Sequence, residues 1–357
     1  MRIEREQVLG AHAHQRSPER RGQANGYKPK TLNTRVGPIA LQVPQTRNYH
    51  DDAGRPFYPS ALERGVRSER ALTLAIAEMY VRGVSTRKVT AVMEQLCGLE
   101  VTSRQVSRAA EQLDQELHAW RTRPLGEVRY LILDARYEKV RHGGSVVPCA
   151  LLTAVGVLPS GKRCVLGCSV SLSEAEVHWR AFLRSLLDRG MRGVQLVVSD
   201  DHAGLNAARQ ATLPATPWQR CQFHLMHNAM AYVPKVAMRS AVAQGMRRVF
   251  HCDEPQEAHH RLRELVDACR DTMPRRAAWL EENVPEGLTI LTLPAAHRKR
   301  LRTTNGQERL NKEIKRRTRV ATLFPNEDSL LRLASAVLSE ISDEWETDRA
   351  YLNIEAT

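Results

Sequence analysis

The stretch Tyr130-Leu-Ile-Leu-Asp134-Ala-Arg-Tyr137 decides the fold, because its apolar run predicts a buried β-strand that carries one carboxylate. Side chains alternate along a strand, so Val128, Tyr130, Ile132 and Asp134 share one face. Burying a carboxylate without a partner costs free energy. A metal ion is the simplest partner, and Asp134 is therefore a candidate metal ligand.

The segments that follow predict an α/β domain around this strand. Three successive strands are predicted at residues 128–140, 145–158 and 162–170, with turns at Gly143-Gly144 and Pro159-Ser-Gly161. Ser173 is predicted to cap a helix over residues 174–187. A fourth, mostly apolar strand covers 194–199, and a fifth is possible at 216–223. Three antiparallel strands, a helix and a buried strand follow one another in this order in ribonuclease H-like folds.

Two further carboxylates complete a candidate site. Asp200 ends the fourth strand in Val197-Val-Ser-Asp200-Asp201, and Glu308 opens a basic helix after Thr303-Thr-Asn-Gly-Gln. Asp200 is preferred to Asp201 because it completes the strand, which leaves Asp201 as a supporting or turn residue. Carboxylates held at strand ends form an oxygen-only donor set of the kind that suits Mg²⁺.

Composition indicates a polyanionic partner. The formal net charge is +13 and the isoelectric point is about 9.7, which favours nucleic acid. No run approaches the ~20 apolar residues of a membrane span, and Met1-Arg-Ile-Glu-Arg5 lacks the apolar core of a signal peptide. Seven cysteines, an odd number, suit reduced thiols in a cytoplasm better than a disulfide framework.

The N-terminal part predicts a separate DNA-binding domain. Residues 1–26 are polar and charged and are expected to form a basic flexible arm, and residues 31–43 predict a hairpin around Gly37-Pro38. Three helices are then predicted at 71–81, at 85–96 with Ser85 as cap, and at 102–113. A helix-turn-helix within residues 27–124 fits this pattern, and an ordinary helical bundle with a solvated basic face is the alternative. Candidate DNA contacts at the start of the third helix are Ser103, Arg104, Gln105 and Arg108.

The second half of the chain contains a long, mostly helical interval between Asp200 and Glu308, which exceeds the length of a simple loop. The helix that begins near Glu308 is strongly basic. A charged helix is usually only solvated, but an acid at the start of a helix with so many cations favours a metal carboxylate set in a phosphate-binding surface. Its candidate contacts to the DNA backbone are Lys312, Lys315, Arg316 and Arg317.

Cys221 and His224 form a Cys-x-x-His element after the fifth predicted strand. This spacing supplies two of the four ligands of a structural zinc site, and no second pair stands at a convincing distance along the chain. We therefore expect the two residues to support the active site rather than to bind zinc.

Taken in order, these motifs resemble those of the Mutator-like transposases of bacterial insertion sequences. The resemblance covers most of the chain after Gly26 and rests on Gly83-Val-Ser-Thr-Arg-Lys88, Leu131-Ile-Leu-Asp-Ala-Arg-Tyr137, Ser173-Glu-Ala-Glu-Val-His-Trp-Arg180, Arg189-Gly-Met-Arg-Gly-Val194, Val198-Ser-Asp-Asp-His-Ala-Gly-Leu205, Gln219-Arg-Cys-Gln-Phe-His224 and Thr303-Thr-Asn-Gly-Gln-Glu-Arg-Leu-Asn311. It implies an Asp-Asp-Glu triad of Asp134, Asp200 and Glu308. It also implies a ribonuclease H-like catalytic domain, residues 125–224 and 297–357, divided by an all-helical insertion at 225–296.

The resemblance implies a function as well. A member of this family is expected to bind transposon ends, to cleave DNA and to join the 3′-hydroxyl end to target DNA by phosphoryl transfer with two Mg²⁺ or Mn²⁺ ions. Its expected partner is double-stranded DNA, both terminal inverted repeats and target, bound by a homodimer at the bacterial nucleoid in the cytoplasm. Two alternatives remain open: a ribonuclease H-like nuclease that only cuts, and a catalytically silent DNA-binding protein.

Overall fold

The chain divides into two compact units, Met1–Leu113 and Asp114–Thr357. The structure is a computed structural model, and it describes residues 1–12, 14–34, 36–62, 64, 68, 70–81, 84, 86–111, 113–233, 238–321 and 323–354. The second unit begins before residue 125, because helix α5 (Asp114–Thr122) packs against its last helix and Asp114 forms an ion pair with Arg332 at 2.7 Å. No helix in the described ranges has both the length and the apolar character needed to cross a membrane.

The first unit begins with a helix and a hairpin. Helix α1 (Arg2–Leu9) lies in the stretch for which the sequence predicts an arm without fixed structure. It ends at Gly10, whose left-handed conformation lets its N–H donate to Gln7 O, and Leu9 is buried. Strands β1 (Gln23–Thr34) and β2 (Gly37–Arg47) pair antiparallel. The predicted hairpin is confirmed and extends beyond residues 31–43.

Three helices complete the first unit at the predicted places: α2 (Arg70–Val81), α3 (Thr86–Cys97) and α4 (Ser103–Glu111). The predicted cap Ser85 lies outside the described residues. The helices share a small apolar core, to which Ile76, Val89 and Val106 contribute buried side chains from the three helices in turn.

A five-stranded mixed sheet forms the centre of the second unit. Its strands are β3 (Tyr130–His142), β4 (Ser145–Val157), β5 (Arg163–Ser171), β6 (Leu196–Ser199) and β7 (Trp218–Arg220). They are ordered β5-β4-β3-β6-β7; β3, β4 and β5 pair antiparallel, whereas β6 pairs parallel with β3 and β7 parallel with β6. The five predicted strands and the α/β class are confirmed.

Helices cover both faces of this sheet. Leu131 and Leu133 pack in one apolar cluster with α6 (Glu176–Asp188) and α7 (Ala203–Thr212), while Tyr130 and Ile132 face a larger cluster on the other side. The prediction that Ser173 caps α6 is wrong, because the cap position is Ala175, which makes no side-chain cap hydrogen bond. The helix starts later because Ala175 still has an extended backbone conformation.

The larger cluster is built by the remaining helices. They are α8 (Gln222–Ala231), α9 (Arg239–Phe250), α10 (Pro255–Arg270), α11 (Pro274–Asn283), α12 (Ala295–Leu301), α13 (Glu308–Ala321) and α14 (Glu327–Thr347). The mostly helical character predicted between Asp200 and Glu308 is confirmed within the described ranges. Helix α14 packs along β5 and is capped by Asn326, whose side chain accepts a hydrogen bond from Ser329 N.

Gly204, near the start of α7, permits the close approach of α6 and α7. A Cβ atom at this position would lie 2.2 Å from Glu174 O and 2.9 Å from Glu176 N, both backbone atoms. We predict that Gly204→Ala lowers the free energy of unfolding by about 1–3 kcal/mol, measured by urea denaturation. Gly126→Ala is the control, because its Cβ would meet nothing within 4 Å. A Gly204→Ala protein as stable as wild type would contradict this packing.

Candidate active site

The parallel pairing of β3 and β6 brings two carboxylates together. Tyr130 pairs with Leu196 and Ile132 with Val198. Continued by two residues, this register sets Asp134 opposite Asp200, at the point where β6 ends. Neighbouring strands lie about 4.8 Å apart. Ile132 and Val198, two residues before Asp134 and Asp200, both pack in the larger cluster. Because side chains two residues apart share a face, the two carboxylates lie on the same face of the sheet.

Asp134 is held in a fixed orientation and carries an unusual proton affinity. Its Oδ2 accepts a hydrogen bond from Asn311 Nδ2 at 2.6 Å. Burial of the carboxylate raises its pKa to about 6; the Asn311 hydrogen bond opposes the rise, and the negative charge of Asp200 adds to it. A cation between the two carboxylates would reduce the free-energy cost of burying the Asp134 charge.

His224 lies close enough to the two carboxylates for their charges to affect its pKa. Its contact with Cys221 raises the pKa of His224, burial opposes the rise, and the charges of Asp200 and Asp134 add to it. Burial would raise the pKa of the Cys221 thiol, but hydrogen bonds with His224 and Thr304 outweigh that effect and lower it. Thr304 N donates to Cys221 Sγ at 3.3 Å. The structure therefore brings the predicted Cys-His pair to the predicted carboxylates.

Helix α13 is tied to β3 on either side of Glu308. Gln307, which is buried, donates from Nε2 to Ile132 O at 3.0 Å, and Asn311 donates to Asp134. Glu308, the first residue of α13, directly follows Gln307 and precedes Asn311 by three residues. The backbone of the third predicted carboxylate therefore lies next to the strand that carries the first. The Glu308 side chain lies outside the described residues.

Glu174 is a further acidic residue at this site, and sequence reasoning missed it. Burial raises the pKa of Glu174; the positive charge of His202 opposes the rise, and the negative charge of Asp200 adds to it. Its Oε2 lies 3.8 Å from His202 Nδ1. Glu174 precedes α6 and does not end a strand, so the strand pattern that marks Asp134 and Asp200 does not mark it. The sequence signal that could have identified it is its place in the Ser173–Arg180 motif.

Asp201, the neighbour of Asp200, has a structural role. Its carboxylate forms an ion pair with Arg220 at 3.0 Å and accepts a hydrogen bond from the Asn206 side chain. These contacts fix the turn between β6 and α7. They agree with the choice of Asp200 as the candidate ligand.

The cations predicted on α13 divide into two groups. Lys312, Lys315 and Arg316 are exposed, and Arg316 donates two hydrogen bonds to Glu313, at 2.9 and 2.6 Å. Arg317 is only 5% exposed and pairs with Glu313 at 2.9 Å and Glu340 at 3.2 Å. Arg317 therefore bridges α13 and α14 and is not a surface contact for DNA. It follows Ile314 by three residues, on the buried stripe of the helix.

The candidates on α4 belong to the first unit, whereas the carboxylates belong to the second. Arg104 and Arg108 are exposed and, four residues apart, share one face of the helix. Gln105 Oε1 accepts a hydrogen bond from Thr102 N at 2.7 Å, and Gln105 N donates to Thr102 Oγ1 at 3.3 Å. This reciprocal pair is a capping box, so the Gln105 side chain is engaged in holding the helix start. The Ser103 side chain lies outside the described residues.

The donor set fits a hard divalent cation better than a soft one. Asp134 and Asp200 offer carboxylate oxygens on adjacent strands, which are the ligands that Mg²⁺ prefers. Among the described side chains, no group of three or more His, Cys, Asp or Glu residues is arranged to hold a metal ion.

Comparison with known proteins gives a consistent family. The family model described as "Transposase, Mutator family" matches residues 1–348. The chain is 55% identical over 354 residues to the transposase for insertion sequence element IS406 of Burkholderia multivorans, covering 99% of this chain and 90% of that protein. It is 42% identical to the transposase for ISRM5 of Rhizobium meliloti, covering 99% and 88%, and 35% identical to the transposase for IS256 in transposon Tn4001 of Staphylococcus aureus, covering 99% and 90%.

The raised pKa of Asp134 predicts a pH-dependent stability in the absence of metal. The folded-state pKa of about 6 exceeds the ordinary value of 3.8. The free-energy cost of burying the ionised Asp134 carboxylate is therefore absent well below pH 4 and fully present well above pH 6. In EDTA, Asp134→Asn should unfold with a free energy up to about 3 kcal/mol higher than wild type at pH 8. The asparagine removes the charge and still accepts the Asn311 hydrogen bond.

The measurement is urea denaturation between pH 5 and pH 8, and the gain should shrink as the pH falls. Asp201→Asn is the control, because it removes an ion pair with Arg220 and should not stabilise the protein at any of these pH values. Equal stability of Asp134→Asn and wild type at pH 8 would show that Asp134 carries no buried-charge penalty.

Proposed function

The chain belongs to the Mutator family of transposases, and from that premise we propose that it binds the ends of its insertion sequence, cleaves DNA there and joins the freed 3′-hydroxyl to target DNA. The observation that carries the chemistry is the register of β3 and β6, which sets Asp134 opposite Asp200 beside the start of α13. In this proposal the sheet and its flanking helices form a ribonuclease H-like catalytic domain, interrupted by the helices of residues 225–296.

In this proposal Asp134, Asp200 and Glu308 hold Mg²⁺ or Mn²⁺. Divalent cations bound there supply the electrophilic assistance that phosphoryl transfer needs at the entering and the leaving oxygen. The observations that support the assignment are the two opposed carboxylates, the raised pKa of Asp134 and the anchoring of α13 on both sides of Glu308.

Other side chains of the site position these carboxylates. Asn311 orients Asp134, and Arg136 Nη1 donates to Asn311 O at 2.7 Å, which ties the first turn of α13 to β3. The contact with Cys221 raises the pKa of His224, which favours its protonated form beside the pair. A ring N–H of His224 could donate a hydrogen bond to a phosphate oxygen near the carboxylates. Exposed cations along α13, Lys312 and Lys315, would contact the DNA backbone.

In this proposal α2 to α4 act as a helix-turn-helix that recognises terminal inverted repeats in double-stranded DNA. The support is the order of three short helices with a shared core and the exposed pair Arg104 and Arg108 on one face of α4. A homodimer on DNA would bring two ends together at the nucleoid. The basic isoelectric point, about 9.7, agrees with a polyanionic partner.

The catalytic assignment predicts separate effects on chemistry and on binding. Asp134→Asn and Asp200→Asn should each abolish joining of a labelled, pre-cut transposon end to target DNA, since each removes a charge that holds the cation. DNA binding in a gel-shift assay should stay within about twofold of wild type, as neither change removes a positive charge. Asp201→Asn, which alters only the adjacent turn, is the matched control and should retain joining.

Joining at the wild-type rate by either carboxylate variant would contradict the assignment. The pre-cut end also tests the alternative of a nuclease, because a protein that only cuts would cleave an uncut end and fail to join the pre-cut one. A catalytically silent DNA-binding protein would do neither.

The recognition assignment predicts a loss of selectivity. Arg104→Ala combined with Arg108→Ala should reduce the preference for end DNA over random DNA at least tenfold in a competition gel-shift assay, because these side chains would contact base edges. Arg87→Ala combined with Lys88→Ala, which removes two exposed cations from α3, is the control for charge alone. Unchanged preference in the α4 variant would place recognition in another element.

A further inference from the structure

A strongly cationic cavity lies in the second unit, away from the α13 surface. It is bounded by α12, by the start of β5 and by the chain that follows α14, and its volume is about 600 Å³. This volume suits a nucleotide-sized group. One carboxylate, Asp348, lines the cavity, together with five cationic residues: Arg163, Lys299, Arg300, Arg302 and Arg349.

Two aromatic rings fix one of these cations. The Arg163 guanidinium carbon lies 4.0 Å from the centre of the Trp345 ring and 4.2 Å from that of Tyr351. Arg300 packs 5.2 Å from the Tyr351 ring, and the Tyr351 hydroxyl donates to Arg300 O at 2.9 Å. Both rings are thus covered by protein cations and are not platforms for stacked bases. The cavity presents charge, which suits phosphate groups.

The lining of the cavity carries more cations than acids. Within the described part of the chain, Lys299, Arg300 and Arg349 form no ion pair, and all three are exposed. Arg316 and Arg317 on α13, by contrast, both pair with Glu313. Like charges that converge in excess of their counter-charges raise the local potential and attract a polyanion.

The wall of the cavity continues directly into the candidate active site. Arg302 lines the cavity, and its carbonyl oxygen accepts a hydrogen bond from Gln222 N at 3.0 Å. Thr304, two residues later, contacts Cys221. At the other end of α12, His297 Nδ1 shares a hydrogen bond with the Tyr130 hydroxyl on β3, the strand that carries Asp134. The cavity and the carboxylates therefore belong to one continuous framework.

We propose that this cavity binds consecutive backbone phosphates of the DNA strand that leads to Asp134 and Asp200, without reading its bases. The choice of DNA as the polyanion rests on the proposed function; the preference for phosphates rests on the cavity itself. The site holds a strand whose sequence varies, such as target DNA or the DNA that flanks an element.

The test is the salt dependence of DNA binding by the full chain in EDTA, with a random-sequence duplex as probe. For each phosphate that a protein ceases to neutralise, the slope of log affinity against log salt becomes shallower by about 0.9. Lys299→Ala combined with Arg349→Ala should therefore make the slope shallower by about 2. Affinity for end DNA and for random DNA should fall by the same factor, because neither side chain touches a base.

The matched control is Arg263→Ala combined with Arg275→Ala, which removes two exposed arginines from α10 and α11 and should leave the slope unchanged. A thermal melt of each variant establishes that it is folded. An unchanged slope in the cavity variant, or an equal change in the control, would overturn the proposal.

A second measurement locates the phosphates. Methylphosphonate linkages, which remove the charge of single phosphates, should weaken binding by wild type at two or three adjacent positions and have no effect there on the cavity variant. Equal sensitivity of both proteins at every position would overturn the proposal. Neither measurement requires catalysis, so both keep their meaning even if Asp134 and Asp200 prove not to be catalytic. If instead the cavity proves not to bind phosphates, the joining assay for the carboxylates is unaffected.

Discussion

The burial of the Asp134 carboxylate beside Asp200, at the point where β6 ends, is the constraint on which the site depends. The pairing of β3 with β6, continued by two residues, sets Asp134 opposite Asp200. Burial raises the pKa of Asp134 to about 6, and the negative charge of Asp200 adds to the rise. Asn311 donates a hydrogen bond to Asp134, and the contact with Cys221 and the charges of the two carboxylates raise the pKa of His224. A buried carboxylate with a second carboxylate beside it is an arrangement that a bound cation would stabilise, as the proposed function requires.

Helix α13 connects this pair to the surface expected to meet DNA. Contacts from Gln307 and Asn311 hold its first turn on β3, and the buried bridge from Arg317 to Glu313 and Glu340 holds it on α14. With these anchors in place, the exposed face of the helix is left to Lys312, Lys315 and Arg316. The cationic cavity is a second positively charged surface of the same unit, and the chain that follows α12 leads from its lining residue Arg302 to Thr304, which contacts Cys221.

Much of this arrangement could be predicted from local pattern. The five strands are runs of apolar residues separated by glycine and proline turns, and Asp134 and Asp200 stand out because acids are rare in such runs. Arg317 and Gln105, both predicted as DNA contacts, are instead engaged within the protein. Arg317 shares a buried stripe with Leu310 and Ile314, and Gln105 forms a capping box with Thr102; both follow from residue spacing that the prediction did not take into account. Glu174 and the cavity were not predictable, because their partners lie far away in sequence. Only the fold reveals that Arg163 meets Trp345 and Tyr351.

The most direct measurement is a crystal of the protein soaked in Mn²⁺, with anomalous scattering recorded at the manganese edge. The opposed carboxylates predict an anomalous peak between Asp134 and Asp200, within about 2.3 Å of an oxygen of each and of Glu308. Mn²⁺ bound elsewhere on the protein, with no peak between these two carboxylates, would contradict the assignment of the β3–β6 pair as a cation site.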